Sequence, residues 1–204
     1  LLKQRGNKDT TRETVTIWND GLSRAGANII LARHQFINEL KIKARNIHLC
    51  LTNKKEELEV GYSGLSGVSA QELSEKLNVS YLKSFDKDYE LGFTTVGPHR
   101  DDLLLKANGV DIRTFGSQGQ QRTVALSLKL AELEIFKTQN GEYPVLLLDD
   151  VLSELDEARA NQLLENITGI QTILTCTEFN HIVPTGSKVF TIEAGKVKKE
   201  FVVD

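Results

Sequence analysis

Between Thr11 and Leu51 the apolar residues recur at helical spacing: Leu22, Ala25, Ile29, Ile30, Phe36, Ile37, Leu40, Ile47 and Leu51. Charged residues fill the gaps, so the stretch predicts long, helix-rich packing, with an interruption near Gly26. The run ELEVGYS alternates and predicts a short strand. SAQELSEKL begins with Ser69 and Glu72 at the spacing of a capping box, which opens a second helix. Residues 1–92 thus read as a helix-rich lobe without a catalytic constellation.

The pattern changes after Gly92. TTVGPHRDDLLLKANGVDIRTF predicts a strand, a turn at Asn108-Gly109 and a returning strand. In FGSQGQQ, Ser117 and Gln120 again have capping-box spacing. The helix behind them carries Val124, Leu126, Leu128, Leu130, Leu133 and Ile135 on a broad apolar side. YPVLLLDD is a continuous apolar run ending in acids, the pattern of a buried parallel strand. DEARANQLLENI predicts a helix capped by Asp156, and QTILTCT a second buried strand. Strand, helix and strand in that order make a right-handed parallel unit. KVFTIEAGKVKKEFVV closes the chain with a hairpin turning at Ala194-Gly195. The fold class is α/β, with a helix-rich lobe over residues 1–92 and a second part over residues 93–204.

Composition adds bounds. A chain of 204 residues with 40% hydrophobic content fills one core or two small ones. The net charge of −3 gives no overall basic footprint for nucleic acid, although a local basic stripe fits inside an acidic total. Cys50 and Cys176 have no CxxC spacing, which points to a reducing, cytoplasmic setting. The sequence has no apolar run of membrane-spanning length and no signal-peptide pattern. It opens on Leu and contains no Met, and is expected to be a segment of something longer.

Two places carry chemistry. Asp149 and Asp150 end a buried strand, where ligands of parallel sheets collect. Hard carboxylate oxygens there suit magnesium, which commonly takes one or two carboxylates plus substrate phosphates. A strand that merely ends in Asp at a turn has the same sequence. At GSQGQQ, Gly119 permits close approach to the backbone, and the first-turn N–H groups point outward with the helix dipole behind them. Ser117 adds a hydroxyl. An ordinary capped helix also fits this stretch. No G-x-x-x-x-G-K-[ST] loop occurs anywhere in the chain, so a triphosphate would need its cradle from elsewhere.

FGSQGQQRT, the amphipathic helix after it, and YPVLLLDDVLSELD together resemble the signature motif, Walker B strand and D-loop of ABC-type ATPases. Within these the chain is most similar to the RecF family, bacterial recombination mediators related to the SMC-type DNA-repair ATPases. VGPHRDD at 96–102 matches that family too, and residues 1–92 resemble its helical arm lobe more loosely. The resemblance implies the carboxyl-terminal half of an ABC-type ATPase head carrying part of an arm lobe. In such proteins two subunits sandwich ATP, the signature helix of one facing nucleotide held by the other. It implies Ser117, Gln118, Gly119 and Gln120 as contacts to a partner's γ-phosphate, and Asp149 as the Mg2+ ligand. Asp150 would orient the hydrolytic water, and Ser153 to Asp156 would form the D-loop at the dimer interface. The implied whole is a slow ATPase and ATP-dependent homodimer of the cytoplasm, binding gapped DNA and supporting RecA loading with RecR and RecO. DNA replication, repair, recombination and the SOS response are its implied setting.

Two departures from ABC ATPases at large stand out. They carry Glu where this chain has Asp150, a shorter reach that RecF relatives share. ABC transporters place a γ-phosphate-contacting His after the next strand, where this chain has Thr177, with His181 out of register. Outside the resemblance, His34, His48, His99 and His181 lack metal-ligand spacing. His34 and His48 read as surface or packed residues. His99 and Arg100 read as interface or phosphate contacts, with Asp101 and Asp102 as alternative partners for Arg100. Two other functions remain open: a dimerisation or partner-interaction module without nucleotide chemistry, and a magnesium-dependent phosphohydrolase built on Asp149 and Asp150.

Overall fold

A computed structural model of the chain describes residues 2–4, 6–177 and 184–203. Contacts divide it into two compact units, Leu1–Ile42 with Glu59–Lys106 and Lys43–Leu58 with Ala107–Asp204. Neither boundary coincides with the 92/93 line drawn from the change of pattern after Gly92. Residues 93–106 belong to the first unit, where Thr95 bonds Asp88 and Gly97 lies close to the Tyr81 hydroxyl.

In the first unit, helix α1 (Lys8–Leu51) begins and runs without a break. The interruption expected at Gly26 is absent, for a packing reason. Gly26 is buried, and a Cβ there would stand 2.9 Å from Leu77 Cδ1 and 3.5 Å from the Tyr81 hydroxyl. Glycine therefore lets a neighbouring helix approach rather than ending its own. That neighbour is α2 (Ala70–Leu91), and Ala27, Ile30, Leu73, Leu77 and Tyr81 form the core between the two. The start of α2 uses half of the expected capping box. Ser69 accepts from the Glu72 N–H, but the Glu72 carboxylate accepts from Val68 N–H at 2.9 Å instead of closing on Ser69. Gly92, at φ 77°, ends the helix in the left-handed cap that glycine adopts at least cost. Just before it, the buried Asp88 carboxylate accepts from Ser84 Oγ, Thr95 N–H and Thr95 Oγ1 at 2.6–2.9 Å. A buried carboxylate without such partners would be costly, and these bonds fasten the segment after α2 onto it.

Strand β1 (Leu58–Ser63) pairs with β2 (Asp102–Ala107). Asn108 and Gly109 follow at φ 49° and 79°, the two positive values of a tight hairpin turn. The returning strand β3 (Val110–Asp111) is only two residues long. Asp111 already caps the short helix α3 (Ile112–Phe115), accepting from Thr114 N–H at 2.8 Å.

The second unit holds the parallel pair. Helix α4 (Gln118–Asn140) precedes strand β4 (Leu146–Asp149), helix α5 (Glu157–Asn166) and strand β5 (Thr172–Thr175). β4 and β5 pair in parallel, Leu146 opposite Thr172 and Asp149 opposite Thr175. Leu126, Leu130, Leu146, Leu148, Leu163 and Ile167 belong to one core, against one face of this sheet. The other face is open: Leu147 is 69% exposed and Ile173 58%. The expectation that both strands are buried is thus met on one side only, because the side chains alternate and α4 and α5 cover a single face. β6 (Lys188–Glu193) and β7 (Lys196–Val202) form an antiparallel hairpin turning at Ala194-Gly195, both at positive φ, as read from the sequence. Among the described residues no helix is long and apolar enough to cross a membrane.

Candidate functional site

The stretch in front of α4 resolves into separate tasks for each residue. Ser117 is the N-cap: its Oγ accepts from Gln120 N–H at 3.2 Å, and Gln120 Oε1 accepts from Ser117 N–H at 3.0 Å. The full capping box read from the sequence is present. Gln121 Nε2 lies 3.2–3.4 Å from the carbonyls of Ile112, Arg113 and Gly116, tying α4 to the end of α3. Gly116 has no room for a side chain, since a Cβ would lie 2.5 Å from the Ile112 carbonyl oxygen. Much of the hydrogen-bonding capacity that marks this sequence is therefore spent on building the helix start.

What remains faces outward. Gln118 and Gly119 supply the first two amides of α4, which the intrahelical ladder does not use. The Ser117 hydroxyl accepts one bond and keeps its own proton to donate. Ser117 and Gln118 are exposed and Gly119 half-buried. Donors, a helix dipole and a residue without Cβ make a patch suited to an anionic oxygen. Gln120 differs from its neighbours, because its side chain is committed within the chain. Besides closing the capping box, its Nε2 donates to Glu56 Oε1 at 3.1 Å.

The acid pair lies at the carboxyl end of β4. Thr175, opposite on β5, donates its hydroxyl to Asp149 Oδ1 at 2.5 Å. Asp150 takes a left-handed backbone, φ 53° and ψ 22°, and its N–H reaches the Thr175 carbonyl and hydroxyl at 3.1 Å. The two exposed carboxylates are therefore held differently: Asp149 by a hydroxyl on its side chain, Asp150 by its backbone. Beside them, burial and the Asp150 charge push the Cys176 thiol above its ordinary value, so it stays protonated. Among the described residues no cluster of three His, Cys, Asp or Glu side chains is arranged to hold a metal. A Mg2+ ion here fits only as the hard-oxygen case in which one carboxylate is supplemented by phosphate and water.

A short 3-10 turn, Val151–Glu154, follows Asp150, and Ser153 Oγ donates back to the Asp150 carbonyl at 2.8 Å. Asp156 caps α5 as expected, accepting from Arg159 N–H at 2.9 Å. Its second oxygen pairs with Arg159 Nη1 at 3.2 Å, and that nitrogen is the atom a Cβ on Gly119 would approach, at 3.5 Å. Arg159 thus joins the Ser153–Asp156 turn to the first turn of α4. Sequence reading missed Arg159 and Glu56, and of the two places it allowed His48, surface or packed, the structure gives the second.

His48 is fully buried. Its Nδ1 lies 3.0 Å from Ser127 Oγ, and its Nε2 3.5 Å from Glu56 Oε2. Burial, more than the opposing pull of Glu56, holds this histidine below its ordinary value. His34 is half-buried, with Nε2 2.9 Å from the Leu65 carbonyl and its ring edge-on to Tyr62. His99 Nε2 lies 2.9 Å from the Thr94 carbonyl, and Arg100 reaches that carbonyl while stacking over Phe93. The other acid near them, Asp101, accepts from the Tyr62 hydroxyl. Thr177 is exposed, and His181 lies outside the described residues.

No family model matches the chain. Among curated proteins it is 43% identical over 197 residues to the DNA replication and repair protein RecF of Clostridium acetobutylicum, covering 95% of this chain and 54% of that one. It is 45% identical over 203 residues to RecF of Lachnoclostridium phytofermentans, covering 98% and 54%. The chain thus spans about half the length of the curated relatives it matches. Among solved structures it is similar to the recombination mediator protein RecF with ATP in the RecFOR pathway, at TM-score 0.78 and 38% identity, over 93% of this chain and 51% of that one. A second RecF structure, with an ATP analogue, aligns at TM-score 0.79 and 38% identity.

Proposed function

From a chain that fits the carboxyl-terminal portion of a RecF protein, we infer that it forms the signature-motif, Walker B and D-loop half of a nucleotide-binding head. The intact protein works in the cytoplasm in DNA replication, repair and recombination. It binds ATP with Mg2+, associates with DNA at gaps, and acts with RecR and RecO in supporting RecA loading. The unit of Leu1–Ile42 with Glu59–Lys106 contributes part of the arm lobe, and that of Lys43–Leu58 with Ala107–Asp204 the half-head.

Each residue has a role in this reading. Ser117, Gln118 and Gly119 face the γ-phosphate of ATP held by a second subunit, with the Ser117 proton and the first two α4 amides as donors. Gln120 supports them by fixing the helix start. Asp149 would hold a Mg2+ ion, which would draw negative charge off the triphosphate. Asp150, one residue on and pointed by a different backbone, orients the attacking water. Its shorter reach than a glutamate's matches slow turnover. Ser153 to Asp156 line the interface between subunits, with Arg159 holding Asp156 against the α4 start.

The observation that carries the reading is the start of α4: a capped serine with a spare proton and two unused amides beside a residue without a side chain. Its test is Ser117→Arg in the intact protein. A long side chain there fills the space a partner's triphosphate must enter, while nucleotide bound in cis is untouched. Losing one charge-assisted contact costs about 1.5–3 kcal/mol, and a two-fold dimer loses two. Sedimentation with a non-hydrolysable ATP analogue should show a monomer that still binds nucleotide and no longer dimerises. A Ser117→Arg protein that dimerises normally would leave this stretch as a capped helix and favour an interaction module.

A further inference from the structure

The contact between His48 and Glu56 lacks a proton, and the reason lies in Ser127. That hydroxyl sits 2.7 Å from the Thr123 carbonyl four residues earlier and 3.0 Å from His48 Nδ1. It has one proton to give. The carbonyl can only accept, so the hydroxyl donates to it and must accept from Nδ1–H. A neutral His48 then has its proton on Nδ1, which leaves Nε2 as a bare lone pair. Facing it is Glu56 Oε2, itself only an acceptor when ionised. The two atoms are buried, lie 3.5 Å apart, and find no hydrogen-bond partner. A gap that wide fits two acceptors held face to face, and one added proton would turn it into a hydrogen bond.

The other carboxylate oxygen of Glu56 leads to the functional site. It accepts from Gln120 Nε2 at 3.1 Å, and Gln120 Oε1 accepts from Ser117 N–H at 3.0 Å. One glutamine amide therefore connects Glu56 to the residue that caps α4. Two charged groups face His48: Glu56 from the turn after α1, and Arg159 from α5, whose cation disfavours a second one on the ring. Ser127 of α4 meets the ring at Nδ1.

We propose that Glu56 is a positioning residue for the start of α4, and that a proton taken up between His48 and Glu56 loosens its hold on Gln120 and Ser117. This rests on the reading that the α4 start receives a partner's nucleotide. With the pair unprotonated, the full Glu56 charge holds Gln120 through a charge-assisted bond. Once a proton sits between Nε2 and Oε2, the carboxylate turns to histidine and shares its charge, and the Gln120 bond weakens toward the neutral kind. Nucleotide-dependent dimerisation would then fall as the medium becomes acidic.

Glu56→Gln separates this from a plain structural role. An amide at 56 donates to His48 Nε2 without any added proton and still accepts from Gln120, so the link becomes indifferent to pH. Glu56→Ala removes it. The intact protein, uniformly labelled with 15N, would be followed from about pH 8 to about pH 5, the range in which histidine titrates. Ring-nitrogen shifts, the Ser117 amide shift and analogue-induced dimerisation would be read together. His48 should carry its proton on Nδ1 at neutral pH, and dimer affinity should drop about three- to tenfold as the ring titrates, the step from a charge-assisted to a neutral hydrogen bond. Glu56→Gln, whose bond to Gln120 is of the neutral kind at every pH, should dimerise about three- to tenfold more weakly than wild type at neutrality and show no step. Its melting temperature should be no lower than that of wild type, because its amide satisfies His48 Nε2. Glu56→Ala should be weaker still at every pH. A protonated Nε2 at neutral pH, a pH step surviving in Glu56→Gln, or a Glu56→Ala protein as competent as wild type would each overturn the proposal. A Ser117→Arg control that still dimerises would fault the underlying reading alone, and the Ser117 amide shift in the Glu56 variants would still decide the link.

Discussion

Two glycines five residues apart on α1 predict opposite outcomes for one substitution. Gly21 is exposed, with nothing within 4 Å of the site a Cβ would take, whereas a Cβ on Gly26 meets Leu77 Cδ1 at 2.9 Å and Pro98 Cδ at 3.4 Å. In a helix interior, alanine is favoured over glycine by about 0.8–1.0 kcal/mol. Gly21→Ala should therefore stabilise the unit by about 1 kcal/mol, worth roughly 2–4 °C in a chain of this size. Gly26→Ala gains the same backbone term but must displace Leu77, which is fully buried. Overpacking of this kind costs about 1–3 kcal/mol, so the net change should run from near zero to about 2 kcal/mol of destabilisation. Trp18 is the single tryptophan and lies on the same helix, so its fluorescence in urea follows this unit directly. The argument fails if Gly26→Ala stabilises as much as Gly21→Ala does, for then α2 is not as close as the distances indicate.

Three further outcomes are expected. Because His48 is held below its ordinary value of about 6.5, the unfolded chain takes up that proton first. Its contribution to stability is complete above the ordinary value and is lost as pH falls through the folded one. Urea midpoints at successive pH values should decline over that range in the wild type, and less so in His48→Asn. In the intact protein, Asp150→Asn should keep ATP while slowing hydrolysis, and Asp149→Asn should also weaken Mg2+-dependent nucleotide binding; identical defects in filter-binding and phosphate-release assays would contradict separate roles. Thr175→Val removes the hydroxyl from Asp149 and from the Asp150 N–H, and should raise the Mg2+ concentration needed for nucleotide binding, with unchanged Mg2+ dependence as the opposing result.

Local chemistry was largely legible in the sequence where it acts over a few residues, the half-formed box at Ser69 being the exception. Ser117 with Gln120, Asp156 with Arg159 N–H, and the Asn108-Gly109 and Ala194-Gly195 turns all depend on neighbours within four positions, and each is present. Gly26 was misread because a glycine that ends a helix and one that admits another helix look identical without the partner. Leu147 and Ile173 were misread because a continuous apolar run reports what a strand can bury, not which faces are covered within this chain. The link from His48 through Glu56 to Gln120 was beyond reach for another reason. Its members lie 8 and 64 positions apart, and none belongs to a residue type that stands out alone.

The left-handed backbone at Asp150 bears on which replacements can serve as clean probes there. Side chains other than glycine avoid that conformation, and asparagine and aspartate tolerate it best. Asp150→Asn therefore changes a charge while leaving the main chain content, and any loss it causes belongs to the carboxylate. Asp150→Ala or Asp150→Glu adds a conformational cost of about 1 kcal/mol at the bend that also sets Ser153. A glutamate introduced to mimic the ABC-type pattern would lengthen the acid and disturb its own footing in one step. At this position, similarity of side-chain chemistry is a poor guide to conservatism, and compatibility with the bend is the better one.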